Sequence, residues 1–103
     1  MYLVVFRNRK RADLDQAAYG AAAAQMEELA ARQPGFLGFK SFAAEDGEVV
    51  AISEWTSEAA ARDWGRHAEH LAIQARGRSD WYATYSLLAG EVTRTHHFNG
   101  SNP

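Results

Sequence analysis

Apolar residues recur with two different spacings along this chain, one typical of strands and one typical of helices. These spacings divide the chain into alternating strand-like and helix-like segments. Residues 2–9 are β-branched and aromatic, contain neither Gly nor Pro, and predict a strand that is apolar on both faces in its first half. Between Asp13 and Gln33, apolar residues recur at helical spacing, and either Asp13 or Asp15 can cap the helix. Pro34-Gly35 is expected to end that helix in a turn.

Three further strand segments follow the first helix. Residues 36–44 and 49–55 predict two antiparallel strands, because Asp46-Gly47 between them supplies the positive φ that a tight hairpin turn requires. A long strand-like run covers 81–98, and Gly90 within it suggests a bulge or a bend.

The second helix is predicted in two parts. Thr56 or Ser57 can cap a helix from 58 to about 64, and Gly65 is then expected to break or bend it. The helical pattern resumes over 68–76, where a second glycine ends it.

The predicted order β-α-β-β-α-β indicates an α+β fold of the ferredoxin-like kind, with one antiparallel sheet and two helices on one of its faces. Two helices can cover only that face, although the first strand is apolar on both. The uncovered face and the long last strand therefore predict a homodimer whose subunits pack sheet against sheet. We expect one domain over residues 1–98 and a polar tail over 99–103.

Composition narrows the class of protein further. The chain has 103 residues, a formal net charge of −2 and no cysteine. The charge offers no basis for binding nucleic acid or an anionic membrane, and the lack of cysteine excludes disulfides, thiolate zinc sites and a cysteine nucleophile. No stretch approaches the length of a membrane span, and the N-terminal charge order is the reverse of a signal peptide's, so we expect a cytoplasmic protein.

The tryptophans are concentrated in one stretch of the chain. Trp55, Trp64 and Trp81, together with two of the four histidines, all lie within residues 55–81. Such a concentration suggests an apolar small-molecule pocket on which a few polar groups converge. The alternative is that these aromatic residues fill the core of a small domain.

Several segments together carry a family resemblance. They are Pro34-Gly35-Phe36-Leu37-Gly38 after the first helix, Ser53-Glu54-Trp55 closing the third strand, and Trp64 followed by His67-Ala68-Glu69-His70. With the element order, they resemble the antibiotic biosynthesis monooxygenase (ABM) domain family over about residues 1–98. The resemblance implies a dimeric α/β barrel.

The resemblance also implies two chemistries. One branch of the family oxidises polycyclic phenols to quinones with O₂ and without metal or flavin. The other degrades haem with an Asn on the first strand, a Trp on the second helix and a haem-ligating His beyond that Trp. Asn8 and Trp64 match the first two, but Ile73-Gln74 stands where the His is expected, and Gln is a poor iron ligand.

The resulting site hypothesis assigns a role to each residue. Asn8 donates a hydrogen bond to a developing oxyanion, and His70 or His67 acts as the general base, with His70 preferred because His67 follows Gly65 closely and can cap the resumed helix. The substrate-binding walls are Trp64, Trp81, Tyr85, Phe39 and Gln74. No metal site is expected. For Asn8 the alternative is a local backbone bond at a strand end, and for Trp64 it is core packing.

The sequence therefore favours a cofactor-independent monooxygenase that oxidises an apolar aromatic or phenolic small molecule with O₂. Two alternatives stay open: a haem-binding or haem-degrading monooxygenase, and a non-catalytic dimer that binds a small molecule. The basic run Arg7-Asn8-Arg9-Lys10-Arg11 is interpreted as a solvated strand edge, with phosphate or carboxylate recognition as its alternative.

Overall fold

The computed structural model describes residues 1–74 and 80–100, with only the backbone given for 72–74. Its elements are β1 (Tyr2–Lys10), α1 (Gln16–Ala31), β2 (Phe36–Ala43), β3 (Val49–Trp55), α2 (Glu58–Gln74) and β4 (Tyr82–Glu91). This is the β-α-β-β-α-β order predicted from the sequence, and it confirms the ferredoxin-like α+β fold.

The four strands form one antiparallel sheet in the order β2-β3-β1-β4, so β1 is central and β2 and β4 are the edges. In β1, Tyr2 lies opposite Trp55 of β3 and Asn8 lies opposite Val49. Because side chains alternate along a strand, one face of β1 carries Tyr2, Val4, Phe6, Asn8 and Lys10. Both helices pack on that face.

The centre of the core is Trp55, whose side chain is fully buried. Its indole Nε1 donates a 2.9 Å hydrogen bond to Ser53 Oγ, which satisfies the one polar group of the ring. The helices approach it through small residues, Ala30 from α1 and Ala61 from α2. The core is thus one large aromatic ring that packs on small residues of both helices and on the rings of Phe36 and Trp64.

The turn before β2 depends on Gly35, which has φ +85°. A Cβ at this position would lie 2.6 Å from both Ala60 Cβ and Thr56 Oγ1, so only glycine fits between the turn and the start of α2. The Gly35 carbonyl accepts a 2.8 Å hydrogen bond from Thr56 N, which ties the two segments together.

Side-chain caps begin both helices. Asp15 Oδ1 accepts from Ala18 N at 3.0 Å, and Ser57 Oγ accepts from Ala60 N at 3.1 Å. Each is one of the two alternatives that the sequence offered.

The predicted break in the second helix is wrong. α2 runs without interruption through Gly65, which is exposed and has open space where a Cβ would stand. A glycine within a helix costs only about 1 kcal/mol, and the packing of Ala61 and Trp64 on the core holds the helix across it. The predicted helix end near residue 76 lies outside the described residues.

The last strand is shorter than predicted. β4 ends at Glu91, residues 92–100 have no regular secondary structure, and Gly90 stays in register opposite Leu3 without a bulge. The strand ends there because its partner begins at Tyr2, and Val92 N makes the last bond, 2.9 Å, to Met1 O. The register shift between β1 and β4 lies instead at Arg9/Lys10.

The second face of the sheet carries apolar side chains that neither helix covers. Leu3 and Val5 of β1 lie there beside Leu88 of β4, which is 53% exposed, and Phe42 of β2 is 49% exposed. An open cavity of about 360 Å³ borders Leu3, Val5 and the chain after β4. This is the surplus apolar face on which the homodimer prediction rests. Neither described helix is long and apolar enough to span a membrane.

Candidate active site

The polar centre of the helix-covered face is Asn8 on β1. Its side chain is only 5% exposed, and it is the one buried polar residue in the part of the chain that the structure describes. Its Oδ1 accepts a hydrogen bond from Lys10 Nζ. Because an ammonium group only donates, the amide oxygen must face Lys10, and the amide NH₂ is left to point elsewhere. That NH₂ has no acceptor among residues 1–74 and 80–100.

Lys10 is half-buried among aromatic rings. Its Nζ lies 4.9 Å from the centroid of the Tyr19 ring, contributed by α1, and 5.5 Å from that of Tyr82, contributed by β4. Both contacts are cation–π interactions. The ammonium is thus fixed by one amide oxygen and two ring faces.

More aromatic rings extend this group along β4. Tyr85 stacks on Phe6 at 5.5 Å between ring centroids with planes 16° apart, and Tyr82 meets Phe6 at 5.4 Å. Trp81 lies edge-on to Tyr19 at 5.5 Å. We call this set the Asn8 cluster: Asn8, Lys10, Phe6, Tyr19, Trp81, Tyr82 and Tyr85. An open surface depression of about 430 Å³ borders Tyr82, Ala83 and the segment 11–13.

The Tyr82 hydroxyl is held in its neutral form. Burial raises its pKa well above the ordinary value, and the neighbouring Tyr19, through its own charge and a hydrogen bond, raises the pKa further. Tyr82 therefore presents an O–H group, not a phenolate, throughout the neutral pH range.

A second aromatic group lies at the other end of the sheet. Trp64 stacks on Trp55 with ring centroids 6.4 Å apart, and the His67 ring lies 5.6 Å from Trp64. α2 connects the Trp55 end of the sheet to the end where Tyr82 pairs with Lys10. It rises about 1.5 Å per residue, so the turns beyond Trp64 advance along β1 towards Asn8.

The structure brings together only some of the predicted site residues. Asn8, Tyr85 and Trp81 belong to one cluster, whereas Trp64 packs on the core. Phe39 lies on β2, the opposite edge strand from Tyr85, and three strand spacings separate them by about 14 Å. The predicted walls Phe39 and Tyr85 therefore do not face each other across one small pocket.

The remaining predicted residues lie on α2. His67 and His70 are both exposed there. Gln74 is the last residue of the helix, and its side chain lies outside the described residues.

Sequence reasoning missed Lys10, Tyr19, Tyr82 and Phe6. The signal was present for Lys10, because strand alternation puts it on the same face as Asn8 and Phe6. Because Lys10 lies in a run of basic residues, the whole segment was interpreted as a solvated edge. That interpretation fits the arginines, since Arg7 binds Glu48 and Arg9 binds Asp46 in exposed ion pairs.

Comparison with known proteins identifies a matching family, a related sequence and solved structures of similar fold. The model of the family described as "Antibiotic biosynthesis monooxygenase" matches residues 1–76. The chain is 39% identical over 97 residues to the Bacillus subtilis (strain 168) protein YqjZ, which carries no functional description, and the match covers 94% of this chain and 83% of the relative.

Two solved structures have a similar fold. Rv0793 from Mycobacterium tuberculosis superposes with a TM-score of 0.75 at 16% identity, covering 93% of this chain and 98% of that one. SnoaB, a cofactor-independent oxygenase from Streptomyces nogalater, superposes with a TM-score of 0.71 at 22% identity, covering 91% and 94%.

Proposed function

Because the chain belongs to the antibiotic biosynthesis monooxygenase family, we propose that it is a cofactor-independent monooxygenase. Its substrate is an electron-rich aromatic molecule, a phenol or an aromatic ketone with an acidic benzylic position, and its oxidant is O₂. SnoaB, which has the same fold, is a cofactor-independent oxygenase. The observation that carries the proposal is a buried amide, Asn8, with free N–H donors amid aromatic side chains.

The reaction balances without a resident redox group. A base removes the acidic proton, and the resulting carbanion or phenolate gives one electron to O₂, forming superoxide and a substrate radical. Their recombination gives a peroxide, which loses water to leave a new C=O bond. Overall, a phenol is converted to a quinone with consumption of one O₂ and release of one H₂O.

The chain's own residues would lower the barrier to the first step. The Asn8 NH₂ donates to the oxygen on which negative charge develops, and such a donor acts most strongly where water is excluded. The rings of Phe6, Tyr82 and Tyr85 supply the apolar surroundings.

For the base we propose a histidine of α2, either His67 or His70. From the sequence, His70 was preferred to His67 because Gly65 was expected to break the helix and leave His67 as a cap. α2 is continuous, so that reason no longer applies, and both histidines stand as candidates.

Haem fits the described residues poorly. A haem iron needs an inward-facing axial ligand, and all four histidines of the chain are exposed, two on α2 and two in the segment after β4. We derive no step through haem. A hemin titration followed at the Soret band is the direct check, and we expect no shift.

Oxygen uptake by the purified protein tests the proposal. The panel consists of an anthrone, a dihydroxynaphthalene and simpler phenols, assayed with and without a metal chelator. We expect uptake that the chelator leaves unchanged, and a loss of about 10²- to 10³-fold in kcat/KM for Asn8→Leu, which removes the donor but keeps the volume. Ser86→Ala, on the opposite face of the sheet, is the matched control. Binding of the panel without any oxygen uptake would instead identify a non-catalytic binding dimer.

A further inference from the structure

Lys10 is set apart from the other basic residues of its strand by what surrounds it. Arg7 and Arg9 lie on the open face, and each is neutralised by a carboxylate of the β2–β3 hairpin. Arg11, just after the strand, pairs with Asp13. Lys10 points to the helix-covered face, and no carboxylate of the described residues pairs with it.

We propose that Lys10 binds the ionised oxygen of the substrate, so that this site takes an aromatic acid as its anion and not a neutral aromatic molecule. The inference rests on the proposed function for the location of the site. It adds Lys10 to the residues that bind the substrate, and it specifies that the bound substrate is an anion. A half-buried ammonium whose contacts are a neutral amide and two ring faces is a cation that lacks its counterion.

The Lys10 ammonium has N–H donors that no hydrogen bond to a described residue uses. An ammonium has three N–H groups, and one of them is used on Asn8 Oδ1. Two remain, and the NH₂ of Asn8 supplies two more beside them. Since Asn8 Oδ1 accepts from Lys10, the hydrogen bond that fixes the ammonium also directs the Asn8 NH₂ away from Lys10. The two side chains thus form one donor group fit for a single oxyanion.

The surroundings strengthen this pairing. Tyr19 from α1 and Tyr82 from β4 cover Lys10, and Tyr85 packs on Tyr82 at 5.8 Å between ring centroids. These rings lower the local dielectric in which the ion pair forms. The alternative role for Lys10 is structural, as a cation that joins two rings.

Binding the anion also prepares the reaction. A phenolate or enolate is far richer in electrons than its conjugate acid, so it is the form that transfers an electron to O₂. For a ligand that arrives protonated, Lys10 would lower its pKa, so that the α2 histidine removes a more weakly held proton and the anion becomes the bound form. A neutral polycyclic hydrocarbon would leave the ammonium without a partner and would bind less well.

A pH titration of ligand binding tests the inference without any turnover. The probes are para-nitrophenol and a nitronaphthol, whose phenolates absorb visible light, and their methyl ethers are the matched neutral controls. For the wild-type protein we expect affinity for the phenols to rise with pH through the pKa of the free probe. The phenolate should bind at least about tenfold more tightly than the phenol, which corresponds to one pKa unit. The ethers should show no such rise.

Two variants separate charge from structure. Lys10→Met keeps the aliphatic stem and should abolish the preference for the phenolate while leaving the affinity for the ethers unchanged. Lys10→Arg keeps the charge and should retain the preference. A purely structural role predicts equal losses for phenols and ethers in Lys10→Met, and that result would overturn the inference.

Other outcomes are equally decisive. Affinity that falls with pH in the wild-type protein, or no binding of any probe, would overturn the inference even if Lys10→Met did not fold. A retained phenolate preference in a protein that consumes no O₂ with any substrate would refute the proposed function and leave the role of Lys10 standing.

Discussion

The indole of Trp64 stacks on the indole of Trp55, with ring centroids 6.4 Å apart and planes 23° apart. Trp55 is fully buried at the end of β3, whereas Trp64 is half-buried on α2. The pair joins the second helix to the sheet, and the His67 ring rests on its outer side. The tryptophan that the family resemblance marks for the site is therefore also part of the core.

Truncating the two tryptophans should have graded effects on stability. Trp55→Ala should destabilise the fold by at least about 3–5 kcal/mol, the usual cost of removing a large buried aromatic ring, and we expect Trp64→Ala to fall at the low end of that range. Denaturant unfolding monitored by circular dichroism measures both. A loss within about 0.5 kcal/mol for Trp64→Ala, as at a neutral surface position, would mean that the stacking contributes nothing.

Gly35→Ala should destabilise the protein although it adds one methyl group to a half-buried turn. The new Cβ would lie 2.6 Å from Ala60 Cβ and from Thr56 Oγ1, and φ +85° is itself unfavourable for alanine. Gly47→Ala is the matched control, because φ is +92° there but no atom lies within 4 Å of the added carbon. Thermal unfolding should show a clearly larger decrease for Gly35→Ala. Equal decreases would show that only the backbone conformation matters.

Alkaline pH should destabilise the fold partly through Tyr82. Burial raises the pKa of Tyr82 in the folded state, so the unfolded chain loses this proton first as the pH rises above about 10. The contribution of the neutral Tyr82 hydroxyl to the free energy of unfolding is fully present below that pH and is lost as the pH rises above it. Tyr82→Phe should therefore flatten the decline in unfolding free energy between pH 9 and about 11. An unchanged slope would contradict the burial of this hydroxyl.

Removing both histidines of α2 should abolish most turnover of any phenolic substrate that is found. A positioned general base typically contributes about 10²- to 10⁴-fold to the rate. Both side chains are exposed, so His67→Ala/His70→Ala should keep its fold. Oxygen uptake by the single variants identifies the base as the histidine whose removal causes the larger loss. Full activity of the double variant would exclude a histidine base.

The open face of the sheet should be the dimer interface. Leu88→Glu places a charge beside Leu3 and Val5, and it should dissociate the dimer because an unpaired charge is costly in an apolar contact. Gln25→Glu, exposed on α1, adds the same charge away from that face and should have no effect. Sedimentation velocity at micromolar concentration distinguishes the two, and a monomeric wild-type protein would refute the prediction.

The sequence alone determined the element order and the hairpin, and it limited each helix cap to two candidates, because these features follow from neighbouring residues. Asp15 and Ser57 accept from N–H groups three residues ahead, and the Asp46-Gly47 turn needs only its own backbone conformation. The family resemblance was likewise carried by local segments. From these, the ferredoxin-like fold follows directly.

Tertiary contacts decided the rest. Gly65 does not break α2 because packing on Trp55 outweighs local propensity, and β4 stops at Glu91 because its partner strand begins at Tyr2. The Asn8 cluster combines β1, α1 and β4, so Tyr19 and Tyr82 could be assigned to it only once the strands were paired and the helix was placed. The charge of Lys10 was visible in the sequence, but its lack of a carboxylate partner depends on which face of the sheet it occupies and on what the other elements bring there.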